Sequence, residues 1–192
     1  MTLRIAAFAG SLSNPSRTRA LVESAASRAA ARFGAEAFVH DLSDLQPSLG
    51  MAGSLGELHP KGRAIVDDIL SADALIVGSP VYKGSYTGLF KHLFDLIDPQ
   101  ALAGKPVLLT ATGGGDRHAL VIEHQLRPLF AFFEAAVLPT GVYAGGADFQ
   151  DGQPSSDALL ARLDRAVDQL APWLGRPRAD PRIERPAALA AL

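Results

Sequence analysis

The chain has 192 residues, enough for one well-packed domain and too few for two comfortable ones. A hydrophobic share of 48 % excludes a disordered chain, and a formal net charge of −2 gives no electrostatic basis for binding nucleic acid or an anionic membrane. With no cysteine, disulfides, thiolate metal sites and thiol catalysis are excluded.

Residues 3–9 form a short apolar run ended by Gly10, read as a first buried strand. Residues 17–33 carry Ala20, Leu21, Ala25 and Ala29 at helical spacing, with Gly34 as a C-cap. A second strand is expected over 35–40, then a long irregular loop over 41–60 and a short helix over 61–71. The third strand covers 74–78, followed by a helix over 85–98 that Pro99 stops. The fourth strand covers 106–111, followed by a long helix over 116–136. The fifth strand covers 137–143, a Gly/Asp-rich loop runs to Pro154, and a final helix spans 156–174, capped by Ser155 or Ser156. Strands alternating with helices predict a doubly wound parallel sheet covered on both faces, with residues 1–175 as the domain. Residues 176–192, with three prolines and mixed charge, read as a tail or as an arm onto a partner subunit. The first apolar run is too short for a signal peptide, and none approaches the roughly 20 residues of a membrane span, so a cytoplasmic protein is expected.

Three strand ends open into loops rich in Gly, Ser and Pro, which is where open α/β sheets hold ligands. The first, residues 10–18, offers helix N-terminal N–H groups, hydroxyls on Ser11, Ser16 and Thr18, and the cation of Arg17, a set suited to phosphate. The second holds Pro80, Val81, Tyr82, Lys83, Gly84, Ser85 and Tyr86: a rigid backbone for the edge of a heteroaromatic ring and two stacking faces. In the third, Thr112-Gly113-Gly114-Gly115-Asp116 makes a wall poor in side chains. Together they suggest one composite site for a flat, phosphate-bearing ligand. No Gly-x-Gly-x-x-Gly follows the first strand, and Gly104-Lys105 is followed by Pro106, so a dinucleotide fingerprint and an NTPase loop are both missing. The five histidines have no metal-binding spacing, and no Gly-x-Ser-x-Gly elbow occurs.

The set Ala9-Gly10-Ser11 with Ser16-Arg17, Pro80-Val81-Tyr82-Lys83 with Tyr86-Thr87-Gly88 and Lys91, and Ala111-Thr112-Gly113-Gly114 resembles the NAD(P)H-dependent FMN reductase family. It is most similar to the reductases of alkanesulfonate and methanesulfonate two-component monooxygenase systems, over about residues 3–174. The resemblance implies a flavodoxin-like three-layer α/β/α sandwich with strand order 2-1-3-4-5 and non-covalent FMN. It implies that Ser11, Ser16, Arg17 and Thr18 hold the phosphate, that Pro80, Val81, Tyr82, Lys83, Ser85 and Tyr86 line the isoalloxazine, and that Thr112, Gly113, Gly114 and Asp116 line its other edge. Residues 119–128 are similar to a family helix with a one-residue insertion, a π-bulge, in which His124 takes the inserted position. In that family the bulge is linked to assembly and to flavin passing through as substrate. The implied activity is transfer of hydride from NADH or NADPH to FMN, with reduced flavin passed to a monooxygenase, by a homodimer or homotetramer. The alternatives are a quinone, azo or chromate reductase with tightly held FMN, and a flavodoxin-type electron carrier.

Overall fold

Alternation along the strands sets the two faces of the sheet. In the computed structural model, which describes residues 2–175, strand β1 (Arg4–Ala9) sends Ala6 and Phe8 to one side and Ile5, Ala7 and Ala9 to the other. Strand β3 (Ala74–Pro80) and strand β4 (Pro106–Thr112) repeat the pattern, with Leu75, Val77, Val107 and Leu109 facing one core and Ala74, Ile76 and Leu108 the other. Strands buried on both faces read as continuous apolar runs, as these do. Strand β2 (Glu36–Asp41), at one edge, is only partly covered.

All strands of the main sheet are parallel, in the order β2-β1-β3-β4 with the fifth position beside β4. This is the flavodoxin-like order 2-1-3-4-5, and the crevice lies where the winding reverses, between β1 and β3. The expected fifth strand is divided. Strand β5 (Ala136–Val137) pairs with Pro106 and Val107, and β6 (Val142–Ala144) pairs with Thr110, Ala111 and Thr112. Pro139, which has no N–H to give to a ladder, lies in the break over 138–141.

Helix α1 (Arg17–Phe33) and helix α5, Asp157–Asp168 and numbered here after α2 to α4 below, cover the core that contains Ile5 and Ile76. The Ser16 hydroxyl accepts from the Arg19 N–H at 3.1 Å, and Gly34 closes α1 with φ 67°, a left-handed cap. On the other face lie α2 (Pro60–Ser71), α3 (Gly88–Asp95) and α4 (Arg127–Phe132). The expected 41–60 loop belongs to this core: the first two of its three short 3-10 turns bury Leu42, Leu45 and Leu49, and Leu58, just after the third, is buried as well. Phe90, Phe94 and Phe130 meet there, with ring centroids 4.8 Å apart for Phe90–Phe94 and 4.9 Å for Phe94–Phe130.

Three helical expectations need correction. The helix expected over 85–98 is α3 alone, because residues 82–85 form a tight turn and Pro99 opens a separate 3-10 turn, Pro99–Leu102, capped by Asp98. The helix expected over 116–136 is three pieces: a 3-10 turn Asp116–His118, a π-helical turn Ile122–Leu126, and α4. The final helix is α5, with Ser156 as N-cap, followed by a short α6 (Ala171–Leu174). The Gly/Asp-rich loop before α5 contains a small hairpin, β7 (Phe149–Gln150) with β8 (Gln153–Pro154). The expected tail, 176–192, lies outside the described residues.

Candidate functional site

Strand register brings the three loops together. Ala9 pairs with Gly78 and Pro80 with Thr112, so β1, β3 and β4 end side by side. A β-carbon on Gly10 would overlap the Phe90 ring, so the first loop lies directly on the aromatic core.

In the first loop Ser11 and Thr18 are buried, and the Ser11 hydroxyl accepts from the Ser13 N–H at 3.2 Å. The N–H groups of Arg17 and Thr18, at the start of α1, have no protein acceptor among the described residues. Such groups at the positive end of a helix dipole form an anion site. The Arg17 guanidinium forms no ion pair among the described residues and lies 5.8 Å from the Phe149 ring centroid. Arg19 is committed instead, to Asp41 at 2.7 Å and Glu23 at 2.8 Å. Burial alone would push the Asp41 carboxyl up, but hydrogen bonds from Ser43 and Arg19 outweigh it and hold the carboxyl below the usual range. Of the two arginines, Arg17 is the one left to meet a ligand.

The second loop continues the β3–β4 pairing, since the Val81 N–H donates to the Thr112 carbonyl at 2.8 Å. Tyr82 and Ser85 then exchange two backbone hydrogen bonds, 2.9 and 3.2 Å, around Lys83 (φ 53°) and Gly84 (φ 83°). Two successive positive φ values are the signature of a type I′ turn. The N–H groups of Lys83 and Gly84 have no protein acceptor among the described residues. Tyr82 stands in solvent, 57 % exposed. Tyr86 turns away from it, packs against Phe90 at 5.9 Å and lines a groove of about 590 Å³ with Lys91, His124 and Phe132. The Ser85 hydroxyl donates to Gln125 in the π-helical turn at 3.0 Å, tying the second loop to that turn, which contains His124.

At the third loop, the Thr112 hydroxyl is 2.6 Å from that of Thr18. The Gly113 N–H donates to the Ala144 carbonyl at 3.1 Å, and a β-carbon there would overlap the Tyr143 hydroxyl, which donates to the Gly115 carbonyl at 2.6 Å. Burial, and after it the Asp116 and Asp148 carboxylates, push the Tyr143 phenol up. A β-carbon on Gly114 or Gly115 would meet nothing within 4 Å. None of the three glycines lies in the left-handed region, Gly115 being extended at φ 177°. Gly113 is therefore explained by packing inside the protein, whereas Gly114 and Gly115 border open space. Asp116 is exposed beside this wall.

Sequence reasoning missed three contributors. Ser79 and Thr87 are buried and staple the first loop to the second: the Thr87 N–H donates to the Ser79 hydroxyl at 3.1 Å, and the Thr87 hydroxyl donates to the Gly10 carbonyl at 2.9 Å. A fourth loop after β6 brings Gly146 and Phe149 against Arg17. Hydroxyls flanking a Pro-Gly loop were a visible signal for the first two; no sequence signal placed Phe149.

The donor set fits FMN: among the described residues, N–H groups without a protein acceptor and an arginine without an ion pair for a phosphate, a bare glycine wall for a ring, and the N–H groups of Lys83 and Gly84 for polar ring edges. Comparison with known proteins points the same way. A family model described as NADPH-dependent FMN reductase matches residues 3–150. The chain is 49 % identical to an NADH-dependent FMN reductase, SfnF, of Pseudomonas fluorescens, over 90 % of this chain and 92 % of that one. It is 46 % identical to an FMN reductase (NADPH) of Pseudomonas aeruginosa, over 90 % and 92 % of the two chains. Among solved structures, an NADH:FMN oxidoreductase (EMOB, apo form) superposes with a TM-score of 0.80 at 32 % identity, covering 94 % of this chain and 92 % of that one.

Proposed function

The chain belongs to the NADPH-dependent FMN reductase family, and on that premise we propose that it supplies reduced FMN to a flavin-dependent monooxygenase of the sulfonate-oxidising type. The observation that carries the site is the start of α1, where the unbonded N–H groups of Arg17 and Thr18 and the unpaired Arg17 cation converge beside the open Gly114–Gly115 wall.

When FMN is bound, the chemistry it supplies is acceptance of hydride from NAD(P)H, and no side chain has to act as acid, base or nucleophile. The chain's own part is positional. Ser11, Ser16, Arg17 and Thr18 anchor the phosphate, through backbone N–H groups as much as hydroxyls, since the Ser16 hydroxyl already accepts from Arg19. Pro80, Val81, Tyr82 and Lys83 hold one ring edge and Thr112, Gly113, Gly114 and Asp116 the other. The Thr87 bonds to Ser79 and Gly10 keep the loops in register, so that the two reactants meet in a fixed geometry.

We place the protein in the cytoplasm, where NAD(P)H is available; among the described residues no helix is long and apolar enough to cross a membrane. We further propose that it works as a homodimer or homotetramer, assembled through the groove beside the π-helical turn. What supports this is the exposure of Phe132, 69 %, on the rim of an apolar groove formed by Phe94, Ile97, Leu129 and Phe133.

The test is a steady-state assay of the purified full chain with NADH and NADPH against FMN, FAD and riboflavin. Nucleotide oxidation that depends on added FMN, with delivery of reduced flavin to a monooxygenase, is the expected result. A permanently yellow protein that reduces quinones or azo dyes without added FMN would overturn the supply role.

A further inference from the structure

A guanidinium at the solvent-facing start of a helix has many rotamers, and an anion that uses it must pin it down. A carboxylate partner would do so in advance but would cancel its charge and occupy its N–H donors. An aromatic face orients the cation while leaving charge and donors free. The Arg17 guanidinium, 5.8 Å from the Phe149 ring centroid, has such a face as its neighbour.

The surroundings make that face a fixed platform. Phe149 opens the β7–β8 hairpin, pairs with Pro154 and packs against the same core that α1 covers. The hairpin turns through Asp151 (φ 51°) and Gly152 (φ 79°), an Asp-Gly pair suited to a type I′ turn. Just before it, the Asp148 carboxylate accepts from the Gly145 N–H at 2.8 Å, which directs that negative charge into its own loop. A β-carbon on Gly146 would lie 3.4 Å from an Arg17 terminal nitrogen, so the cation also neighbours bare backbone. Neither contact consumes an N–H of Arg17.

We propose that Phe149 is a positioning residue for the flavin phosphate: its ring presets the Arg17 guanidinium over the start of α1 without neutralising it. This rests on the reading of Arg17 as the phosphate anchor, and it makes Phe149 a determinant of preference for phosphorylated flavins over riboflavin.

The experiment measures dissociation constants of FMN and riboflavin by quenching of flavin fluorescence, with the full chain and no nucleotide. Phe149→Leu, which keeps an apolar side chain but no ring, is expected to weaken FMN about three- to tenfold and leave riboflavin unchanged. Phe149→Tyr, which keeps the ring, is expected to retain FMN affinity. In an Arg17→Ala background, Phe149→Leu is expected to have no further effect on FMN. Should Phe149→Leu fail to fold, Phe149→Met takes its place, with the same expectations. Equal losses for FMN and riboflavin, or a loss that persists without Arg17, overturn the positioning role. If Arg17→Ala selectively weakens FMN while Phe149→Leu does not, only the role of Phe149 falls. If Arg17→Ala itself leaves the preference for FMN intact, the phosphate reading falls, and the role of Phe149 with it.

Discussion

The hydroxyls of Thr18 and Thr112 lie 2.6 Å apart in a buried position, joining the first turn of α1 to the last residue of β4. One hydroxyl donates to the other, so the acceptor's own proton remains free to point out of the pair toward a ligand. In the proposed site, this contact sets how far the start of α1 stands from the glycine wall. Thr18→Val or Thr112→Val leaves one buried hydroxyl unpaired and is expected to cost about 1–3 kcal/mol in urea unfolding. The double variant is expected to cost less than the sum of the singles. Strict additivity would show that the hydroxyls are not coupled.

Gly113 and Gly114 are neighbours with opposite expected behaviour. Gly113→Ala forces its β-carbon onto the Tyr143 hydroxyl and breaks the bond to Gly115, with a stability loss of about 1–3 kcal/mol. Gly114→Val projects into open space and is expected to leave the melting temperature within about 2 °C while weakening FMN at least tenfold. Calorimetry and flavin titration on the two variants separate packing from ligand space. Normal FMN affinity in Gly114→Val would make this loop a turn and nothing more.

Asp41 gives the fold an acid limit. Its carboxyl is held below the unfolded value, so the stabilisation is complete above the unfolded pKa of about 3.9 and is lost as pH falls through the lower, folded value. Asp41→Asn removes the charge that Arg19 pairs with. It is expected to lower stability at neutral pH by about 1–3 kcal/mol and to flatten the acid side of the stability curve. An acid limb as steep as in the unmodified protein would assign it to other carboxylates.

Deleting His124 is expected to let the π-helical turn Ile122–Leu126 close with regular i→i−4 bonds, turning Gln125 away from Ser85 by about 100°. The variant is expected to stay folded by circular dichroism, to change its mass by light scattering and to purify with more flavin bound. Unchanged assembly together with unchanged flavin release would remove the turn from both roles.

Much of the scaffold was legible because period and punctuation agree there. The 17–33 helix is framed by Ser16 and Gly34, and both act as caps in the structure. The buried strands were visible as apolar runs, and the glycines after them marked the crevice. What stayed hidden depends on tertiary partners. The π-helical turn Ile122–Leu126 was legible only through the family likeness of residues 119–128, because Ile122, Leu126, Phe130 and Phe133 repeat at helical spacing and that spacing does not report an inserted residue. Residues 41–60 read as loop because their leucines follow no single period; Leu42, Leu45 and Leu49 are buried from two separate 3-10 turns and Leu58 from the end of a third. Thr87 belongs to a loop motif visible in the sequence, but its hydrogen bond appears only when Gly10, 77 residues away, is brought to its hydroxyl.

The interruption of the fifth strand also governs how copies of the chain can meet. Within it, Arg127 donates to the Leu138 and Pro139 carbonyls at 3.0 and 3.3 Å, and Arg162 to the Gly141 carbonyl at 2.8 Å. Gln169 accepts from the Thr140 N–H at 2.9 Å. Side chains from the surrounding helices thus take up backbone groups that a continuous outer strand would leave facing solvent. Such a row is the template on which edge-to-edge aggregation grows. Between 138 and 141 an incoming strand finds those groups already engaged, so this margin resists sheet extension from one molecule into the next.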